Sequence, residues 1–306
     1  MSVNMFGLSA VHKRERTIQT NTPAFIRRES ENNTLAEFRE LTLKGVLRYW
    51  YRAVEQERHY KQLLESEKRL FGGAGNKNEE AGRSLITLSV QNINGQNEES
   101  SPLPHRGRGF RTNALQPGST FHLETAALKQ HPYREDYKRT ERYIDLMLLL
   151  GTFGMRSRRG AGSLQCSNDV PSDKQALQSQ LLAIFKDLHK EEVYLPGQYP
   201  SQVIRSNHNH LAPDRPQLRT VWIGGGESEG KFVFRKASNA GHLHNEGSLG
   251  KIHGGRVASP LIVKSLQIGS EFYPVISEVA TNEQVQNPQY SEQKKNFLIE
   301  LGVNQP

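Results

Sequence analysis

Among 306 residues there is one cysteine, Cys166, so no disulfide can form within the chain. That scarcity fits a reducing compartment better than an oxidising one. Long apolar runs are missing as well. Hydrophobic residues make up 35% of the sequence, and mean hydropathy is -0.68. The richest stretch, Leu146 to Leu150, is far shorter than the ~20 residues a membrane-spanning helix needs. Met1 to Ala10 is apolar but short, is interrupted by Asn4, and has no charged region before it. No secretory signal is expected there, and the cytoplasm is the expected location.

Signatures of catalysis are equally sparse. His242, His244 and His253 follow no strong zinc-ligand spacing, and Cys166 has no second thiol to join it. His208 and His210 flank Asn209 in what reads as a loop. Gly224-Gly225-Gly226 lacks the lysine and hydroxyl residue of a P-loop, and Gly162-Ser163 does not sit in a nucleophile-elbow order. The carboxylates are scattered, with Glu65 and Glu67 read as solvent-facing. Neither a metal nor a cofactor is expected.

What the sequence does have is positive charge. Forty Lys and Arg against 32 Asp and Glu leave a net charge of +8, compatible with a polyanionic partner. The basic residues gather beside glycine, in His105-Arg106-Gly107-Arg108-Gly109 and again in Arg156-Ser157-Arg158-Arg159-Gly160. Glycine next to arginine lets a backbone approach phosphate while side chains reach around it. The plain alternative is a solvated surface loop. Gly151, Gly154, Gly160 and Gly162 argue against regular structure between 151 and 163.

Periodicity places the elements. Leu43, Val46, Leu47, Trp50 and Val54 predict a helix from Thr42, its expected N-cap, to about Val54. On it Lys44, Arg48 and Arg52 recur every four residues and form a basic ridge. Trp50 continues the apolar stripe and is expected in the core, whereas Tyr51 could lie in the core or on the surface. Gly45 costs ~1 kcal/mol in a helix and marks either a close approach or mere tolerance. Further helices are predicted over Glu55–Leu70, Arg139–Leu150, Asp173–Leu188 and Ser291–Leu301. Strands are predicted over Arg14–Thr22, Ser84–Val90, Thr120–Thr125, Ser163–Ser167, Leu218–Ile223, Phe232–Phe234, Ala258–Leu266 and Phe272–Val279. Asn92–Ala114 reads as an excursion without a core element, and Tyr194–Pro216 as irregular. The interleaving predicts an α+β fold, with antiparallel sheets carrying helices on one face. The length suggests two domains at ~150 residues each.

Several of these segments also resemble a known family. Leu41-Thr42-Leu43-Lys44-Gly45-Val46-Leu47-Arg48-Tyr49-Trp50-Tyr51-Arg52-Ala53 resembles the signature helix of the RAMP superfamily, the repeat-associated proteins of type III CRISPR effectors. Thr22-Pro23-Ala24-Phe25-Ile26, Leu70-Phe71-Gly72, Phe153 to Ser163 and Arg256-Val257-Ala258-Ser259-Pro260-Leu261 resemble further family segments in matching order. The particular likeness is to the first-numbered subunit of type III-B Cmr complexes. It departs from the family in having Ile26-Arg27-Arg28 after Phe25 in place of a glycine pair.

The resemblance implies two ferredoxin-like (RRM-like) domains, here 1–168 and 169–306. It implies a non-catalytic subunit near the 3′ end of the guide, binding CRISPR RNA and target single-stranded RNA beside other Cmr subunits in antiviral defence. The family motifs fall on Lys44, Arg48, Arg52, Arg156, Arg158, Arg159 and Arg256 as RNA-binding residues, with Gly151, Gly154, Gly160 and Gly162 as the loop backbone. A groove between the Lys44–Arg52 ridge and the Arg156–Arg159 loop is the expected RNA path. Two other readings are a metal-independent RNA-processing endoribonuclease using His122 or His242, and a purely structural, protein-binding subunit.

Overall fold

The computed structural model describes residues 11–26, 36–73, 82, 84–106, 109–128, 133–212, 214–250 and 257–304. The first part of the chain runs β1 (Val11–Thr20), α1 (Glu40–Val54), α2 (Tyr60–Phe71), β2 (Thr87–Asn94), β3 (Asn97–Ser100), β4 (Thr112–Leu115), β5 (Thr120–Leu128), α3 (Tyr133–Leu150) and β6 (Leu164–Cys166). Four of these strands form an antiparallel sheet in the order β2-β5-β1-β6. Burial alternates along β5, with Phe121, Leu123, Thr125 and Ala127 turned inward, as a sheet covered on one face requires. Helices α1 and α3 supply that cover with Leu43, Leu47, Trp50, Tyr143, Ile144 and Met147.

The second part runs α4 (Lys174–Asp187), β7 (Tyr194–Pro196), β8 (Gln202–Ser206), a 3-10 turn (His208–His210), β9 (Gln217–Ile223), α5 (Gly230–Leu243), β10 (Leu261–Ile268), β11 (Glu271–Ala280), α6 (Asn282–Gln286) and α7 (Pro288–Glu300). Its antiparallel sheet has the order β10-β11-β9-β8-β7. The α+β class with helices packed on antiparallel sheets is therefore as expected. Of Ser172 and Asp173, either of which could cap α4, Asp173 does so, accepting a hydrogen bond from the Ala176 amide at 2.8 Å.

Several boundaries differ from the pattern reading. Helix α1 starts at Glu40, before Thr42, with Arg39 at the N-cap and no side-chain cap. Helix α2 starts at Tyr60 and not at Glu55, because Glu55 is extended and its carboxylate accepts from Lys190 Nζ at 3.1 Å and Arg139 Nη2 at 2.6 Å. Helix α3 begins at Tyr133, before Arg139. Phe232–Phe234 is helical, inside α5. Val233, Phe234, Ala237 and Ala240 are its buried stripe, a 3.6-residue period that a three-residue window cannot show. Tyr194–Pro216 is not irregular, since it contains β7, β8 and the 3-10 turn. Asn92–Ala114 includes the end of β2 and most of a β3–β4 hairpin, and Ala114 and Leu115 are buried. Glu67 is buried, not solvent-facing. Arg256 and His253 lie outside the described residues.

The edges of the two sheets meet side by side at β6 and β10. Gln165 accepts from the Gln267 amide at 2.8 Å and donates to the Gln267 carbonyl at 2.9 Å, copying with its side chain the paired bonds of a ladder. It also accepts from Asn21 Nδ2 at 2.7 Å, and Ser163 Oγ accepts from the Ser265 amide at 2.9 Å. One apolar core continues across this seam, from Ile18, Leu47 and Trp50 to Phe185, Val221 and Leu266. Gln165→Ala strips three partners at once. The expected loss is about 2–3 kcal/mol in urea unfolding, because buried donors and acceptors are left unmade. A loss below a few tenths would show that water replaces the amide.

Candidate nucleic-acid interface

Two basic elements were expected to face one another, and helical geometry turns them apart. Arg48 and Arg52 lie one turn apart on the flank of α1 that meets α2. Arg52 pairs with Glu67 through Nε and through Nη2 at 2.8 Å, and Arg48 Nη1 lies 3.4 Å from the same carboxylate. Arg48 Nη2 also donates to the carbonyls of Phe71, at 3.1 Å, and Gly72, two of the acceptors left open at the end of α2. Lys44, half-buried on α1, has no ion-pair partner among the described residues.

A rotation of ~100° per residue brings Tyr49, not Arg48, towards the glycine loop. The Arg158 guanidinium lies over the Tyr49 ring, 5.2 Å from its centroid. Trp50 and Tyr51 are both in the core.

The loop itself is a set of turns held from both sides of the molecule. From the first sheet's side, the Gly162 amide donates to the Pro23 carbonyl at 2.9 Å, the Met155 amide to Phe25 at 3.1 Å, and Thr22 Oγ1 to Gly160 at 2.7 Å. Thus Thr22-Pro23-Ala24-Phe25 and the glycine loop, distant in sequence, are one interlocked structure. From the other side, Arg159 pairs in a parallel bridge with Val263. Arg158 Nη1 donates to the Ser259 carbonyl, and Arg159 Nη1 donates to Ser259 Oγ at 3.0 Å. Arg159 Nη2 reaches the Leu249 carbonyl at 2.8 Å, and its guanidinium sits 5.2 Å from the Phe297 ring centroid. Arg159 is buried, and desolvation together with Arg156 and Arg158 lowers its guanidinium to about 10. Ser259 of the Ala-Ser-Pro segment is therefore the receiving end of the Arg-Arg pair.

The glycines serve this packing. A Cβ on Gly151 would lie 2.5 Å from the Met147 carbonyl oxygen and 2.9 Å from the Trp50 indole nitrogen. Gly154 has φ +83 and Gly160 has φ +95, a region that L side chains rarely adopt. Arg156 takes φ +59 without being glycine. It is half-buried and has no side-chain hydrogen bond or ion pair among the described residues. Of the three loop arginines, it alone has its side chain uncommitted in this way.

Lys264 of β10 closes the underside of the loop. It is fully buried and donates to the Gly151 carbonyl at 2.8 Å and to the Leu164 carbonyl. Burial pushes its ammonium down to about 7 from 10.5. Between those values the unfolded chain holds more protons than the folded one. Stability is accordingly lowest below pH 7 and rises as pH climbs towards 10.5. Lys264→Met should flatten that rise by up to about 1.4 kcal/mol per pH unit in urea titrations. Parallel wild-type and variant curves would place the lysine charge elsewhere.

The histidines do not converge on a centre. Among the described residues no group of three or more His, Cys, Asp or Glu could hold a metal ion. His122 is exposed on β5, and His242 of α5 stacks on His105, with centroids 5.0 Å apart. The sequence pattern did not reveal Tyr49, Ser259 or Lys264 as parts of this arrangement. Ser259 and Lys264 lie 100 or more residues from the groups they bind in the loop.

Residues 17–165 match the RAMP superfamily. The RAMP stretch takes in most of the first sheet, the α1 basic flank and the whole glycine loop. No helix among the described residues is long and apolar enough to cross a membrane. Among curated proteins, none matches the chain in sequence. Its fold is shared with Cmr1 from Pyrococcus furiosus in the apo form, at TM-score 0.61 and 18% identity, covering 96% of this chain and 98% of that one. A chain of the type III-B Cmr-beta complex bound to cognate target RNA shares it too, at TM-score 0.54 and 10% identity, covering 94% and 100%. So does a chain of Cmr-beta with cognate target RNA, AMPPnP and ssDNA, at TM-score 0.52 and 11% identity, covering 94% and 98%. At these identities the likeness is one of fold.

Proposed function

We propose that this chain is a non-catalytic RNA-binding subunit of a type III-B CRISPR effector, the first-numbered Cmr subunit. It holds the 3′ part of the guide and assists capture of target RNA. The observation that supports this most is the coincidence of a RAMP stretch with a fold that covers 96% of this chain and 98% of Cmr1 from Pyrococcus furiosus. The topology agrees with two ferredoxin-like domains, 1–168 and 169–306. In the first sheet β1, β2, β5 and β6 follow the β-α-β-β-α-β order, with spatial order 2-3-1-4. In the second, β9, α5, β10 and β11 repeat that plan, and β8 takes the fourth position. The glycine loop lies where the two meet and holds Arg156, half-buried and without a side-chain partner among the described residues, a natural place for phosphate.

The test is gentle purification from the native cell, with protein mass spectrometry and sequencing of bound RNA. Other Cmr subunits together with mature CRISPR RNA are the expected result. Recovery of the chain free of both would overturn the reading. One observation favours a purely structural subunit: Arg48, Arg52, Arg158 and Arg159 are all committed to internal partners. Tight association with Cmr subunits, combined with no RNA affinity of its own, would select that second reading.

A further inference from the structure

Four basic side chains gather on one surface from three separate parts of the chain. His105 and Arg106 come from the β3–β4 connection, Arg156 from the glycine loop and His242 from α5. The imidazoles of His105 and His242 stack with ring centroids 5.0 Å apart and an interplanar angle of 26°. Arg106 and Arg156 are close enough to act on His105, and Arg106 on Arg156. Arg158 and Arg159 continue the positive field on the loop side, since Arg159 feels both Arg156 and Arg158. Among the described residues, no carboxylate is among the groups that act on His105 or Arg156.

Bringing like charges together without counter-charge is unfavourable, and the strain shows in several ways. His105 is held below the usual imidazole range by desolvation first, then by His242, Arg156 and Arg106. Arg156 is likewise lowered, by burial and by Arg106, and it also occupies the left-handed backbone region. His105 Nδ1 and Arg156 Nε are buried with no hydrogen-bond partner. Elsewhere in the described structure comparable cations found partners, as Arg52 did in Glu67 and Arg16 in Glu141 and Asp145. Unpaired donors and uncompensated positive charge in one place are the two requirements of an anion site.

We propose that His105, Arg106, Arg156 and His242 form a binding site for a backbone phosphate of single-stranded RNA, one that tightens as the His105 imidazole takes up a proton. The proposal rests on the RNA-binding reading above and adds a specific subsite and a dependence on pH. A phosphate there accepts from the arginines and from imidazole N–H groups, and it offsets the positive field that, after desolvation, lowers His105. Binding is thereby coupled to proton uptake and weakens as pH rises through the imidazole range.

The experiment uses the full chain, an unstructured labelled oligouridylate and constant ionic strength, from about pH 5.5 to about pH 8. Wild type is expected to lose about tenfold in affinity over that range, one charge-assisted contact's worth. In His105→Gln/His242→Gln the pH dependence should flatten, the affinity gained towards the acid end being lost. Arg156→Gln should weaken binding at every pH and reduce the dependence on salt by about one phosphate. His242 is exposed and His105 half-buried, so the double variant should melt like wild type, which a thermal scan verifies. If the double variant binds RNA with the wild-type pH profile, the subsite is wrong and the RNA-binding reading stands. If wild type binds no RNA at any pH, both fall. A histidine NMR titration with inorganic phosphate separates the sources of anion. Shifts at His105 and His242 with phosphate, in a protein that binds no RNA, would mark a site for free anions and overturn the proposal.

Discussion

Replacing Gly162 with alanine is expected to cost about 4 kcal/mol or more, the largest single-site effect in the loop. Gly162 has φ +64, and a Cβ there would lie 1.9 Å from the Phe153 carbonyl oxygen and 2.8 Å from its carbon. A left-handed alanine alone costs about 1–2 kcal/mol. The clash adds to this because it involves backbone, which cannot rotate away as a long side chain can. Relief requires moving the Phe153 peptide, which breaks the bond from the Phe153 amide to the Gly162 carbonyl at 3.0 Å and strains that from Gly162 to Pro23. The loop would come away from the Thr22–Phe25 segment, and the Arg158 and Arg159 anchors to Ser259 would loosen with it. Urea unfolding measures the loss, and protease cleavage near Arg156 reports the loosening. Gly45 supplies the contrast. A Cβ there meets nothing within 4 Å, so Gly45→Ala should stabilise α1 by about 0.5–1 kcal/mol. Nothing among the described residues approaches this glycine closely enough to require it. Equal effects at the two positions would sink the argument.

Arg52→Ala is expected to destabilise the protein by about 2–3 kcal/mol, well beyond a surface substitution. The reason lies in its partner. Glu67 is 2% exposed and draws its charge-assisted bonds from Arg52 and, at 3.4 Å, from Arg48. Removing Arg52 leaves a buried carboxylate with one long contact. Because the Arg52 side chain is 42% exposed, water recovers part of the loss, which keeps the figure below that of a fully buried pair. Glu67→Gln in the same background should recover most of it, since a neutral amide needs less compensation. With wild type and Glu67→Gln alone they form a double-mutant cycle, with an expected coupling of about 1–2 kcal/mol. Additive losses would show that Arg52 does not neutralise Glu67. The cycle bears directly on function, because an alanine scan of the α1 ridge that reads only RNA affinity would mistake unfolding for lost phosphate contact.

Much of the framework was legible because burial leaves a local record. The stripe Leu43, Leu47, Trp50 and Val54 announced α1, the alternation of Thr120 to Thr125 announced β5, and Asp173 announced the start of α4. The four glycines at 151, 154, 160 and 162 argued against regular structure there, and the segment is a set of turns. Failures came where the local signal was short or shared. Phe232–Phe234 has too few residues to separate a period of 2 from 3.6, and β7 and β8 are brief strands with Gly197 and Pro200 between them.

The candidate interface was legible in its residues and not in their partners. Spacing put Arg48 and Arg52 on one flank of a helix, and that flank exists. Which acceptor a guanidinium meets depends on what the folded chain brings to it. Glu67 is 15 residues from Arg52, Ser259 is 100 from Arg159, and His242 reaches His105 from α5. By itself, then, the sequence determined the helices and strands with clear periodicity, the irregular glycine loop and the surplus of positive charge. Only the tertiary structure decided the sheet orders, the Gln165 seam, and which cations are spent inside the molecule and which remain unpaired on its surface. Periodicity is written by neighbours within a few residues, whereas the pairing of charges is settled by contacts that exist only once the two sheets have met.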